Sequence, residues 1–163
     1  MDHRKYNPDL FTRRSLRLPD RDYTKTNAYF VTIRAKQYEP IFEAPELRKI
    51  LLETWQALPE RFHGVTLDEF VVMPDHIHFI LWLDGKIENV PALGSVVGAY
   101  KSLTTVAWLR HIKSAGLECS GLIWQRNYYE RVIRIEELEK TRQYIRNNPT
   151  ELQRQTENQR TEM

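Results

Sequence analysis

FVVMPDHIHFILWL, residues Phe70–Leu83, decides the fold. Two apolar runs flank Met73-Pro74-Asp75. Proline has no N–H to give to a sheet ladder, so Pro74 belongs to a turn. The runs on either side, Val65–Val72 and His76–Leu83, read as an antiparallel hairpin. Side chains alternate between the faces of a strand, so His76 and His78 project side by side. Ile77, Phe79, Leu81 and Leu83 then face the other way, into a core. Two adjacent imidazoles at the mouth of a buried strand suggest a metal site. Taken alone, the pair is better explained as two histidines hydrogen-bonded to backbone or water. Zinc would need a third and usually a fourth ligand, and His3, His63 and His111 do not fall where the fold would obviously bring them.

Outward from the hairpin, Ala28–Arg34 (AYFVTIR) alternates and is rich in β-branched and aromatic residues, which predicts a strand. Pro45 suits the first position of a helix. Leu47, Ile50, Leu51, Thr54, Trp55 and Leu58 then keep helical spacing to a stop near Pro59. Beyond Pro91 a second helical pattern runs from Leu93 to about Ile112. Leu122–Ile133 is strand-like, and a last helix covers about Ile135–Asn147, ending at Pro149. The order β-α-β-β-α-β plus a terminal helix predicts an α+β, ferredoxin-like antiparallel sheet with helices on one face. The first and third strands would be central, which leaves the other sheet face for a site. Many activities share this fold.

The 163 residues fit one domain with a substantial core. We expect a basic N-terminal arm over 1–27, a folded domain over 28–149 and a polar tail over 150–163. The formal charge is only +2, but it hides a pattern: His3, Arg4, Lys5, Arg13, Arg14, Arg17, Arg21 and Lys25 face only four aspartates in the first 25 residues. Composition leaves two readings of this segment, a disordered leader or an arm laid on phosphate. The single cysteine, Cys119, excludes an intrachain disulfide and a cysteine-rich zinc site. No apolar run approaches a membrane span and no signal-peptide core opens the chain, so a cytosolic, cytoplasmic protein is expected.

In the last helix Leu138, Thr141 and Ile145 form a core stripe. Tyr144 and Asn148, one turn apart, flank it. Their ordinary readings are a half-buried packing tyrosine and a helix C-cap before proline. Spacing alone does not overturn either.

MPDHIHFILW (73–82), YKS (100–102), WQRNYYERVIR (124–134) and YIRNNP (144–149) occur in this order, with RRSLRL and AYFVTI near the start. Together they resemble the REP-associated tyrosine transposases, single-tyrosine His-hydrophobe-His endonucleases of bacterial insertion-sequence type. The resemblance runs from about Arg13 to Pro149. It implies that His76 and His78 hold a divalent cation, Mg²⁺ or Mn²⁺, that Tyr144 is the nucleophile, and that the Asn148 side-chain oxygen completes the metal site. It further implies cleavage and rejoining of single-stranded or hairpin DNA through a 5′-phosphotyrosine. The chain departs from the family at Asp75, commonly asparagine, and at Phe79, often glycine. Asp75 could be a further ligand, an acceptor for a histidine N–H, or a turn cap.

For DNA contacts we expect Lys101 near the scissile phosphate and Arg126 and Arg131 alternating with aromatics, a mix suited to phosphate pairing and base stacking. The alternative is an edge strand with arginines in solvent and aromatics in the core, and Trp124 favours the core. Arg13, Arg14 and Arg17 resemble the family's N-terminal arm, which could reach a repetitive extragenic palindrome. A homodimer stays open, since a composite site across two chains and a self-contained one both suit the pattern. Two rival functions also stand: a nucleic-acid-binding module without chemistry, and a zinc-dependent hydrolase built on the histidine pair.

Overall fold

The computed structural model describes residues 26–161, and their side chains up to Pro149. Arg13, Arg14 and Arg17 lie outside the described residues. Four strands, β1 (Asn27–Arg34), β2 (Val65–Val72), β3 (His76–Leu83) and β4 (Tyr129–Ile133), form one sheet of order β2-β3-β1-β4. Every pairing is antiparallel, and the expected strands β1 and β3 are central. Among the described residues three α-helices complete the fold: α1 (Pro45–Arg61), α2 (Leu93–Ala115) and α3 (Leu138–Thr161). Among the described residues no helix is long and apolar enough to cross a membrane.

The period of two sorts the sheet into two faces. Tyr29, Val31, Ile33, Ile77, Phe79, Leu81 and Leu83 pack with Leu47, Leu51 and Trp55 of α1 and Val96, Val97 and Tyr100 of α2. On the opposite face Ala28, Phe30, Ile80 and Ile133 pack with Leu138 and Ile145 of α3. His76 and His78 share that second face. The sheet is thus covered on both sides, and α3 roofs the histidine face.

Three boundaries differ from the sequence reading. Proline disrupts a helix by removing one N–H and crowding the preceding turn. Even so, α1 passes Pro59 to end at Arg61, and α3 passes Pro149 to reach Thr161. Good helix formers (Ala57, Leu58, Glu60 and Arg61) surround Pro59, and beyond Pro149 and Thr150 the helix resumes on Glu151, Leu152, Gln153 and Arg154. The third difference is Leu122–Ile133, where only Tyr129–Ile133 is strand. Upstream, a single bridge joins Trp124 to Ala35. Trp124 leans instead into the core against Phe42, with ring centroids 5.0 Å apart, and its indole donates to the Thr104 hydroxyl at 2.9 Å.

Strand β2 carries a bulge. Between the pairs Leu67–Leu81 and Phe70–Phe79 it has one residue more than β3. Such an insertion disturbs the alternation of faces. Here consecutive acids, Asp68 and Glu69, both reach α3.

Candidate active site

His78 sits directly opposite Thr32 in the β1–β3 register, and its Nδ1 lies 2.8 Å from the Thr32 hydroxyl. His76 Nδ1 lies 2.6 Å from the Asp75 carboxylate. Each ring is therefore held by one nitrogen, leaving both Nε2 atoms to converge at 3.1 Å. Two imidazole lone pairs at that separation repel unless a proton or a cation lies between them. Asp75 stands behind His76 on the far nitrogen, the place of an orienting acceptor rather than of a ligand beside both Nε2 atoms. Its bond to His76 holds the carboxyl below the usual carboxylate value against the opposing effect of burial.

Burial, with the charges of His76 and Arg34, pushes His78 down to about 3, and Asp75 only partly opposes this. A neutral imidazole at physiological pH is the form that binds metal. The shift has a consequence for stability. As pH falls below the ordinary 6.5, the unfolded chain takes up a proton that folded His78 refuses until about pH 3. Stability is therefore expected to fall as pH drops through that window. Melting temperature against pH, measured on metal-free protein between about 6.5 and 4, reads it. His78→Asn should flatten the slope, and an unchanged slope would mean an ordinary titration.

Helix α3 brings Tyr144 over this corner from the same chain. Its ring centroid lies 5.7 Å from that of His78 and 6.2 Å from that of Phe30, with the side chain 52 % exposed. Phe30 stacks on His78 at 5.2 Å. One turn on, Asn148 Nδ2 is buried and, among the described residues, is the one such side-chain atom with no hydrogen-bond partner. Buried amides are seldom left unpaired, and nitrogen and oxygen exchange places when an amide flips. Two imidazoles and an amide oxygen are a mixed nitrogen–oxygen donor set that a divalent cation accepts. Among the described residues no group of three or more His, Cys, Asp and Glu side chains is placed to hold a metal.

The sequence reading missed what fixes α3. Arg142 donates two bonds to Asp68, Nε to Oδ1 at 2.9 Å and Nη2 to Oδ2 at 2.6 Å. The Trp82 indole donates to the same carboxylate at 2.9 Å. Arg146 pairs with Glu69 through one carboxylate oxygen, its Nε 2.7 Å from Oε1 and its Nη2 on the same atom. Burial alone would raise the Asp68 carboxyl, but Arg142, Trp82 and Arg146 together hold it below the usual value. These pairs clamp the face of α3 that carries neither Tyr144 nor Asn148. Asp68→Ala, which orphans both donors, is expected to cost about 1–3 kcal/mol. Urea denaturation measures it; a loss under about 0.3 kcal/mol would mean an idle surface pair.

The expected DNA contacts divide. Arg131 is paired with Phe30 in the β1–β4 register and lies over its ring at 5.7 Å, on the histidine face. Arg126 is exposed in the loop before β4. Lys101 uses its ammonium on the carbonyls of Gln125 and Arg126, at 2.6 and 3.1 Å, and burial lowers its pKa. That ties the loop to α2. Tyr100 is a core residue whose hydroxyl donates to the Leu51 carbonyl at 2.9 Å.

The family profile described as "Transposase IS200 like" matches residues 24–148, from the start of the sheet to Asn148. An uncharacterised protein of Haemophilus influenzae strain Rd is 32 % identical over 172 residues, covering 89 % of this chain and 92 % of its own. Among solved structures, a REP-associated tyrosine transposase bound to a REP hairpin superposes with a TM-score of 0.58 at 21 % identity, covering 80 % of this chain and 71 % of its own. A protein from Deinococcus radiodurans R1 described as a transposase superposes with a TM-score of 0.52 at 19 % identity, over 83 % of this chain and 97 % of its own. At these identities the structural matches speak for the fold.

Proposed function

The chain belongs to the IS200-like transposase family, and on that premise we propose that it nicks and rejoins single-stranded, hairpin-bearing DNA through a covalent bond to Tyr144. The observation that carries this reading is one corner of one chain. Two imidazole nitrogens 3.1 Å apart lie beside an exposed tyrosine, its ring centroid 5.7 Å from that of His78, and one turn along α3 from that tyrosine is an unpartnered buried amide. The solved relative bound to a REP hairpin supports DNA of that kind as substrate.

In the proposed step the Tyr144 hydroxyl oxygen attacks the scissile phosphorus. A tyrosyl O–P bond forms as the P–O3′ bond breaks. The phenolic proton leaves Tyr144, and the departing 3′ oxygen ends as a hydroxyl. Because the product is again a phosphodiester, a 3′-OH can reverse the step, whereas attack by water would be final. His76, His78 and the Asn148 oxygen would hold Mg²⁺ or Mn²⁺, which polarises a phosphoryl oxygen and offsets the charge that develops there. Asp75 and Thr32 fix the ring orientations. The Arg142 and Arg146 clamps hold α3 so that Tyr144 serves the histidines of its own chain, which makes one protomer self-sufficient. Arg131 and Arg126, with the arm residues Arg13, Arg14 and Arg17, are proposed to pair with phosphates, and Lys101 to brace the loop between them. The site is proposed to lie within a domain spanning 28–149.

The test is incubation of the protein with labelled single-stranded hairpins and Mg²⁺ or Mn²⁺. A denaturation-resistant protein–DNA species and a free 3′-OH fragment are expected. Hairpin binding with neither product would return the chain to the class of non-catalytic binding modules.

A further inference from the structure

We propose that Arg34 and Tyr38 form a nucleotide subsite beside the histidines, where the Tyr38 ring stacks on a base next to the scissile phosphate and the Arg34 guanidinium pairs with the adjoining phosphate. The inference rests on the single-strand cleavage proposed above.

Of the Phe, Trp and Tyr side chains among the described residues, only Tyr144 and Tyr38 are exposed. Tyr38 is 47 % exposed. Leaving such a ring half in water forgoes burial that every Phe, Trp and Tyr among the described residues except Tyr144 obtains more fully. Its position is not incidental. Arg34 ends β1 directly opposite His76 in register, and alternation puts it on the face of Thr32 and His78. Its charge is one of those that lower both His78 and Asp75. The guanidinium carbon stands 5.6 Å from the Tyr38 ring centroid. Ring and cation thus share the open end of the histidine face.

The segment that presents the ring is strained and braced. Gln37 and Tyr38 both take a φ of 56°, consecutive left-handed residues without a glycine. Such conformations persist only where their surroundings impose them, and they cluster at ligand sites. Here the Ala35 N–H donates to the Asp75 carbonyl at 2.7 Å, Lys36 to Ile123 at 2.7 Å and Phe42 to Pro74 at 3.0 Å. The turn carrying Tyr38 is therefore fastened to the Pro74–Asp75 turn that leads into the histidines. A fixed aromatic face beside a guanidinium matches a base and its phosphate, and stacking tolerates any base.

The experiment compares wild type, Tyr38→Asn, Tyr38→Phe and Arg34→Gln by titration of hairpin oligonucleotides. Asparagine tolerates the left-handed backbone, so Tyr38→Asn removes the ring without adding strain. An abasic sugar is placed in turn at each position flanking the cleaved phosphate. Tyr38→Asn should weaken binding roughly 5- to 150-fold, and Tyr38→Phe, which keeps the face, should bind as wild type. At one flanking position the abasic sugar should weaken wild type by the same factor while costing Tyr38→Asn nothing further. Arg34→Gln should reduce the salt dependence of binding by about one phosphate contact. Wild-type affinity in Tyr38→Asn, or a loss that adds fully to the abasic loss at every position, overturns the subsite. Binding is read without cleavage, so failure of the strand-transfer chemistry is scored separately.

Discussion

Tyr144→Phe is expected to abolish the covalent protein–DNA species and to lower strand cleavage by at least about 10⁴-fold. The substitution deletes one oxygen from a side chain that is 52 % exposed. It keeps the ring that meets Phe30 edge-on at 6.2 Å. Folding and hairpin binding should therefore be unchanged, so that the loss falls on the chemical step alone. Gel analysis of the adduct beside a binding titration separates the two. A hydrolase using water would instead keep its activity without the phenol. Cleavage by Tyr144→Phe near the wild-type rate would remove Tyr144 from the reaction.

The second large effect is expected from His76→Ala. Of the two histidines His76 is the safer to remove, because it is half-buried while His78 is packed beneath Phe30 and bonded to Thr32. Losing one of two nitrogens that converge at 3.1 Å should lower cleavage at least about 10³-fold, because a cation on phosphate is worth several kcal/mol in the transition state. Asp75→Ala touches the same ring from behind and should weaken metal affinity only about 10- to 100-fold. Raising Mg²⁺ or Mn²⁺ should then restore Asp75→Ala and leave His76→Ala inactive. Equal rescue of both would contradict the different places of the two side chains. Chelation of divalent ions should silence wild type and leave hairpin binding in place.

Much of the site was legible because its elements follow short-range rules. Pro74 broke the apolar run, alternation put His76 and His78 on one face, and the stripe Leu138, Thr141 and Ile145 came out buried as spaced. The resemblance then joined Tyr144 and Asn148 to the histidines. What could not be read is what depends on register and on distant pairs. Asp68 and Glu69 look like ordinary polar positions of β2 until the bulge aims both at α3, 74 and 77 residues away in sequence from the arginines they hold. Thr32 and Arg34 acquire meaning only when β1 lies against β3. A lysine's charge is visible in sequence, whereas the Gln125 and Arg126 carbonyls that Lys101 bonds are not. Pro149 looked like a stop because the rule for proline is local, whereas the helix continues through it.

The most direct measurement is to digest the protein–DNA adduct with trypsin and locate the nucleotide by mass spectrometry. Cleavage after Arg142 and Arg146 isolates Gln143–Arg146, a four-residue peptide with one tyrosine. The expected result is a 5′-phosphorylated nucleotide on that peptide and a free 3′-OH on the released strand. A nucleotide on Tyr128 or Tyr129, or cleaved strands with no attached protein, would contradict it.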